Sequence, residues 1–431
     1  MIEISDDIKE YIDCCVKRRQ KVLDDIGDNA IAILFAATEK CRSNDTFYPY
    51  RQNSYFYYLT GFNEPQSILV LDGKTKNCTL FCREKNPAQE IWQGHRYGVS
   101  LAKNIFRINK TDDIENFANR IEKLLSGHKK LYLLNQPENQ YHQQITKLWK
   151  KQHSKISLTK SIVNLEKILI PMRLIKDETE LKLLRKAAKI SAFGHIKAMQ
   201  MAKHGQFEYQ LEGEILAEFM RCGTRNLAYE SIVASGRNAC ILHYTNNHSM
   251  LQNGDLIMID AGAEYACYAG DISRTFPVSG QFSSAQKDVY QIVLETNKKI
   301  INQAHKGVTY QYLSKFAIEL LTQGLIDLKL LSGSLKKNIE QKKYTRFYMH
   351  GIGHYLGLDV HDVGNRGILD NNMTMTVEPG LYIPDDVDIP KELRGVGIRI
   401  EDNVIIHNDN PEIYTYDAPK EIEEIENLMQ H

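Results

Sequence analysis

Apolar and polar positions change period along the chain, and those changes mark out its elements. Residues 5–27 bring Ile8, Ile12, Cys15 and Val16 to one side at helical spacing, which predicts a first helix. Ile31–Ala37 is a short apolar run, read as a buried strand. Arg42–Phe62 is polar and aromatic. Ser67–Leu71, the pair Asp72-Gly73 and Cys78–Cys82 read as a hairpin. Ile91–Gly94 opens a helix-like segment, and Leu131–Asn135 is another strand. These elements suggest an α/β domain with its own core but no evident catalytic set.

The pattern breaks near Pro171. Asp177-Glu178-Thr179-Glu180 then has the form of a capping box, in which two side chains satisfy the free amides of a helix start. Leu181, Leu184, Ala188 and Phe193 follow at helical spacing, and the helix stops by Gly205. A second helix covers about Glu208–Cys222. Strand and loop material follows through Tyr229–Gly236 and His243-Tyr244-Thr245. Gly254–Val278 reads as two strands around a Gly- and Ala-rich turn. The order then repeats. Ser283-Ser284-Ala285-Gln286 is another capping box, helices cover about 285–306 and 309–325, and a β-rich run extends from Phe347 to Ile406. Helices and then strands, twice over, hint at an internal duplication. The polar, Lys-rich stretch 327–346 is read as a solvated loop or helix. The predicted domains are therefore 1–172 and 173–431.

At 431 residues this is an ordinary globular composition, 42% apolar and 25% charged. Lys+Arg and Asp+Glu both number 54, so no bulk charge draws the chain to nucleic acid or an anionic membrane. The N-terminal stretch is charged and lacks a signal-peptide core, and no apolar run approaches a membrane span. The eight cysteines are scattered without zinc-type pairing. They are expected to be reduced thiols in a cytoplasmic protein.

The candidate chemistry lies in the second half. Asp260 ends the apolar run Leu256–Ile259, and Asp271 sits between Gly270 and Ile272. A buried, unpaired carboxylate is costly, so two such Asp on facing strands imply something positive between them. HGIGHYLGLDVHDVG carries His350, His354 and His361; MTMTVEPGLYI carries Glu378; GVGIRIEDNVII carries Glu401. Four carboxylates and one imidazole form an oxygen-rich set suited to two hard divalent ions, whose charge they would balance.

In that order and context, Asp260, Asp271, His354, Glu378 and Glu401 resemble the dinuclear metallopeptidases of the creatinase/methionine-aminopeptidase superfamily. YPYRQNSYFYYLTGFNEP (Tyr48–Pro65) and EIWQGHRYG (Glu90–Gly98) look like the N-terminal domain of Xaa-Pro aminopeptidases. The resemblance implies a pita-bread α/β (α+β) catalytic domain behind a smaller α/β domain. It implies release of an N-terminal residue from peptides with proline second, by water activated at two divalent ions, most consistent with Mn²⁺. Asp260 would hold one ion, His354 and Glu378 the other, and Asp271 and Glu401 would bridge. Glu378 would accept the water's proton, and His361 would hydrogen-bond the scissile group. His350, Tyr382 and Arg399 would line the proline subsite, His243 would touch the peptide beyond it, and Tyr229 would hydrogen-bond a ligand carboxylate. Trp92 and Asp45 would narrow the mouth from a neighbouring subunit of a homo-oligomer, dimer or tetramer; the other reading of Trp92 is a core aromatic. His195, His204, His248 and His407 are read as structural. An Xaa-Pro dipeptidase is the alternative within this chemistry. A methionine aminopeptidase would leave the N-terminal domain unexplained, and a non-catalytic scaffold would be expected to lack metal ligands.

Overall fold

In a computed structural model describing residues 4–153 and 161–430, the chain forms two compact units, Met1–Met172 and Arg173–His431. The first is built on a six-stranded sheet. Its central strand, Ala30–Phe35, is buried along its whole length. It pairs antiparallel with Ile68–Asp72 and parallel with Lys130–Leu133. Burial on both faces explains why this strand is an unbroken apolar run rather than an alternating one. Ile31, Ile33, Phe35, Phe81, Phe117 and Trp149 join in one core. The expected hairpin forms between Ile68–Asp72 and Asn77–Cys82. The first helix, Asp6–Ile26, buries Tyr11, Ile12, Cys15 and Val22. It also buries Arg18 and Arg19, whose guanidinium groups donate to the carbonyls of Tyr58 and Leu59.

One local expectation fails here. Ile91–Gly94 closes a helix, Pro87–Gln93, instead of opening one, because Gly94 takes a positive φ of 84° that ends it. Pro171, near which the pattern breaks, lies inside the helix Glu166–Leu174, one residue before the first unit ends at Met172.

The second unit repeats one plan. A helix pair, Glu178–Met201 and Glu208–Arg221, is followed by strands Ile232–Ser235, Leu256–Asp260 and Ser273–Pro277, which pair antiparallel. Helices Ser284–Gln303 and Tyr310–Asp327 precede strands Thr374–Val377, Asp402–Ile405 and Glu412–Ile413. Both long leading helices start in capping boxes, Asp177 with Glu180 and Ser283 with Gln286. Leu181, Leu184 and Ala188 are buried as their spacing implies, while Phe193 stays 36% exposed at the edge of the apolar face. One large cluster joins both halves, including Ile215, Phe219, Val233, Ile257, Ile259, Val289, Val293, Leu381 and Ile398. Full burial of each such side chain is worth about 1.5–3 kcal/mol.

The β-rich run breaks into short pieces, and the breaks matter. Thr374–Val377 pairs with Asp402–Ile405, whereas Gly380–Tyr382 pairs with Gly397–Arg399. Glu378-Pro379 and Ile400-Glu401 occupy the two gaps where the chain changes partner. Proline has no N–H to give a ladder, so Pro379 suits such a gap. The Asp-bearing stretch also differs from a plain hairpin. Asp260 ends its strand opposite Ser273, and Asp271 precedes the next strand, separated from Asp260 by the small pieces Ala263–Tyr265 and Tyr268–Ala269.

Candidate metal centre

Two close approaches of backbone bring the carboxylates together. A Cβ on Gly262 would stand 1.8 Å from the carbonyl oxygen of Gly270, so the segments after Asp260 and before Asp271 pass closer than any side chain allows. A Cβ on Gly353 would stand 2.0 Å from the carbonyl oxygen of Thr376, which draws His354 against the strand leading to Glu378. The backbone N–H of His354 then donates to Thr376 Oγ1 at 3.0 Å.

A cavity of about 640 Å³ opens at this point. Asp260, Asp271, His354, Glu378 and Glu401 line it, as do His243, His350, His361, Arg399 and Tyr229. Ten of the thirteen residues anticipated for the site thus line one cavity; Tyr382, Trp92 and Asp45 do not. Tyr382 stands behind the wall, 1% exposed, with its hydroxyl 2.8 Å from His350 Nε2. Trp92 is not among the lining residues. It lies in the N-terminal unit, 88% exposed, which excludes its reading as a core aromatic.

Asp271, His354 and Glu401 offer ligand atoms within 4.8 Å of one another. His354 Nε2 faces Asp271 Oδ2 at 3.3 Å and Glu378 Oε1 at 3.8 Å. Its Nδ1 lies 3.0 Å from the carbonyl oxygen of Tyr355. A carbonyl can only accept, so Nδ1 carries the proton and Nε2 is the nitrogen turned to the carboxylates. Tyr229 donates its one hydroxyl proton toward both Asp260 Oδ1 and Asp271 Oδ1, at 2.6 and 2.5 Å. Burial and then the charges of Asp260, Asp271 and Glu401 hold that phenol far above its usual range, so it stays a donor. Asn403 fixes the backbone of Asp271, donating to its carbonyl and accepting from its N–H.

Electrostatically the cluster is short of positive charge. Burial and then Asp271, Glu378 and Asp260 push the Glu401 carboxyl well above the carboxylate range. Burial raises Glu378 to about 7 against the opposing charges of His354 and Arg399. Burial alone would lower His354, but its hydrogen bond to Asp271 and the charges of Asp271 and Glu378 outweigh that and hold it at about 9. Such groups, mutually uncomfortable without a cation, fit divalent ions. The donors are oxygen-rich with one imidazole, hydrogen bonds already hold His354 Nδ1, Asp271 Oδ1 and Glu401 Oε2, and Asp271 and Glu401 are buried.

A second chain of contacts runs along the wall. Arg399 donates from Nη2 to Asp260 Oδ2 at 2.6 Å, from Nη1 to the Tyr382 hydroxyl at 3.0 Å, and from Nε to Ser273 Oγ at 2.8 Å. Ser273 in turn donates to Glu401 Oε2 at 2.7 Å. The His350 Nδ1 proton goes to the Gly351 carbonyl at 2.8 Å, leaving Nε2 to accept from Tyr382. Burial and then Arg399 hold His350 at about 4, so it is neutral at neutral pH. His361 stacks edge-on to His354, ring centroids 4.3 Å apart, and burial followed by the neighbouring His354 lowers it too.

Ser273 was not anticipated. Its only trace in the sequence is a position two residues after Asp271, on the same face of the chain. The four histidines read as structural, His195, His204, His248 and His407, are not among the residues lining the cavity. Fully buried His195 lies 3.0 Å from the Ala261 carbonyl, His204 bonds the Leu251 carbonyl, and His407 faces Glu412.

Metallopeptidase family M24 matches residues 182–408, and the aminopeptidase P N-terminal domain matches residues 15–132. The chain belongs to family M24. It is 44% identical to the Xaa-Pro aminopeptidase of Haemophilus influenzae, over 96% of each chain. Among solved structures it is similar to Escherichia coli aminopeptidase P with the inhibitor Pro-Leu, at TM-score 0.93 and 39% identity, covering 99% of this chain and 98% of that one. The zinc-substituted form of the same E. coli protein, in complex with product, is equally similar, at TM-score 0.93. The M24 match and these neighbours carry the pita-bread assignment for the catalytic domain, and the family is one of metal-dependent hydrolases.

Proposed function

We infer that this chain is a metal-dependent exopeptidase that releases the N-terminal residue from peptides with proline in second position. The observation that carries this is the convergence of Asp260, Asp271, His354, Glu378 and Glu401 in one cavity, in a chain alike over its whole length to Xaa-Pro aminopeptidases. The proposed domains are 1–172 and 173–431, with the chemistry in the second.

Asp260, Asp271, His354, Glu378 and Glu401 would hold two divalent ions, and the oxygen-rich set favours Mn²⁺. When bound, the ions polarise the scissile carbonyl and make water acidic enough to attack it at neutral pH. The Glu378 carboxylate takes a proton from the attacking water and returns it to the departing proline nitrogen, which has become an amine. His361, neutral, donates an N–H to the oxygen on which charge develops. His350 and Tyr382 wall the proline ring. With His350 neutral and its Nε2 bonded to Tyr382, that wall is uncharged toward an imide that brings no N–H of its own. Asp260, held by Arg399 and Tyr229, anchors the free α-amine, which restricts cleavage to the chain end. His243 meets the residue after proline.

We place the chain in the cytoplasm, where its eight scattered cysteines would stay reduced; no helix of the described residues is long and apolar enough to cross a membrane. A homo-oligomer, dimer or tetramer, gives the exposed Trp92 and Ile91 a use, closing the mouth of a neighbouring copy's site.

The test is hydrolysis of an Ala-Pro-Yaa peptide beside the dipeptide Ala-Pro, with and without Mn²⁺. Metal-dependent cleavage of the longer peptide is expected. Cleavage of Ala-Pro alone would make the enzyme a dipeptidase, and metal-free protein indifferent to EDTA would remove the enzyme reading. His361→Ala should lower kcat strongly with both ions still bound, as metal analysis would report.

A further inference from the structure

His243 sits on a loop, residues 236–249, and among the described residues nothing hydrogen-bonds its ring. Its position is therefore set by the backbone that carries it. That backbone is tied to one carboxylate. Glu208, the first residue of the helix Glu208–Arg221, is fully buried. Among the described residues no cation pairs with it; five donors do. The Ser235 N–H and hydroxyl, both at 2.7 Å, and Asn238 Nδ2, at 3.1 Å, reach Oε1. The Tyr244 hydroxyl and the Ser249 N–H, each at 2.8 Å, reach Oε2. The Glu208 N–H returns a bond to the Ser249 carbonyl at 2.9 Å.

These donors bracket His243. Ser235 and Asn238 lie where the loop begins, Ser249 where it ends, and Tyr244 is the next residue after His243. One turn further along the same helix face, Glu212 accepts from Asn247 Nδ2 at 3.0 Å, holding that residue at a φ of 45°. A carboxylate at a helix N-terminus is favoured by the helix dipole, and its four lone pairs suit several donors at once. A buried carboxylate with this many donors is a fixed point; Asn247, which also bonds the Val233 N–H and the Ser231 carbonyl, is a second anchor toward the end of the loop.

We propose that Glu208 is a positioning residue for peptide binding: through Tyr244, Ser235 and Ser249 it fixes the loop that presents His243 to the part of the peptide beyond proline. This rests on the aminopeptidase reading above. It assigns a role to a residue that does not line the cavity and touches neither ions nor substrate.

The test uses the Mn²⁺-loaded full-length enzyme with an Ala-Pro-Yaa peptide, in Glu208→Gln, Tyr244→Phe, His243→Ala and the Tyr244→Phe/His243→Ala double variant. Tyr244→Phe should raise KM about tenfold, the scale of one lost hydrogen bond to a charged group, with kcat within about threefold and ion content unchanged. Once His243 is gone the Tyr244→Phe change should add little, because both act through one contact. Factors that simply multiply in the double variant, or an unmoved KM in Tyr244→Phe, overturn the proposal. Should Glu208→Gln fail to fold, Tyr244→Phe still decides. Hydrogen exchange gives a readout independent of turnover, since amides of residues 235–249 should exchange faster in Glu208→Gln. A wild-type enzyme that cleaves no Xaa-Pro peptide would overturn the aminopeptidase reading alone, whereas unchanged exchange across this loop would overturn the latch.

Discussion

Glu401 and Asp402 are neighbours in sequence, both buried carboxyls, and their surroundings push them in opposite directions. Successive side chains of an extended segment face opposite ways. Asp402 faces the back of the sheet, where Arg274 Nη2 lies 2.8 Å from Oδ1, Lys420 Nζ 2.6 Å from Oδ2, and Thr415 donates a further hydrogen bond. Burial by itself would raise this carboxyl, but Arg274 and Lys420 outweigh it and hold it well below the usual carboxylate range. Glu401 faces the cavity, where Asp271, Glu378 and Asp260 add to burial and only Arg399 opposes. One side of the segment is a finished ion-pair cluster. The other is a cluster of carboxylates whose charge divalent ions would balance. The chain can supply cations to a buried carboxylate from its own residues and does so one residue away, at Asp402. Leaving the cavity side anionic is therefore a feature of that side, and divalent ions are what complete it.

The contrast can be broken most sharply on the cavity side. Glu401→Gln should cut activity by well over a hundredfold, beyond the roughly 10–100-fold cost of an outer-shell partner, and should lower ion occupancy. The same change should leave the ion-free fold as stable as the parent or more so, because it removes a repelled charge. Activity and Mn²⁺ content, followed by thermal unfolding in EDTA, would check both halves. A large loss of ion-free stability would mean that Glu401 is structural in its own right. On the back face the expectation reverses. Asp402→Asn leaves Arg274 and Lys420 buried and unbalanced, a loss of about 3–5 kcal/mol typical of a broken buried pair. It should appear as a lower midpoint in urea whether or not ions are present.

Acidity sharpens the same point. In ion-free protein Glu401 and Glu378 sit above the unfolded value of about 4.3, and His354 above about 6.5. Each binds more protons folded than unfolded in its window, so each contributes stability at low pH that is lost as pH rises through the folded value, about 7 for Glu378 and about 9 for His354. Asp402 runs the other way. Its stability is present above about 3.9 and lost only as pH falls through its much lower folded value. Ion binding needs the cavity carboxylates ionised and Nε2 of His354 free, so it strengthens as pH rises. The gap in Tm between Mn²⁺-loaded and EDTA-treated enzyme should widen from about pH 5 to about pH 8. A constant gap would mean that these groups do not titrate in that range.

Much of this was legible in the chain. Both capping boxes, the central apolar strand and the buried run ending at Asp260 are local signals, written in consecutive residues, and the resemblance added which carboxylates belong together. What could not be read depends on partners far apart in sequence. Glu378 and Glu401 were expected within a β-rich run; they sit in gaps because two sheets exchange strands there, which no local period encodes. Trp92 is open to two readings in the sequence, a residue at the mouth of a neighbouring site or a core aromatic, and it lies exposed because the small helix ending at Gly94 buries none of its residues. Glu208 carries no signal in the sequence beyond opening a helix, and only the return of Tyr244 and Ser249 to it reveals a use.

The smallest expected effect belongs to Ser273, which stands between the two faces. It opens the strand that carries buried Arg274 toward the back, while its own hydroxyl accepts from Arg399 and donates to Glu401. Replacing it by alanine removes no charge and leaves a void of one oxygen. If the hydroxyl only filled space, Ser273→Ala would shift stability slightly and leave ion binding alone. If it fixes which Glu401 oxygen is turned to the ions, ion affinity should fall about tenfold, the lower end of outer-shell effects, with kcat at saturating Mn²⁺ nearly restored. Titrating activity against free Mn²⁺ separates the two. A rightward shift of the curve at constant plateau supports the orienting role, and an unshifted curve returns Ser273 to the core.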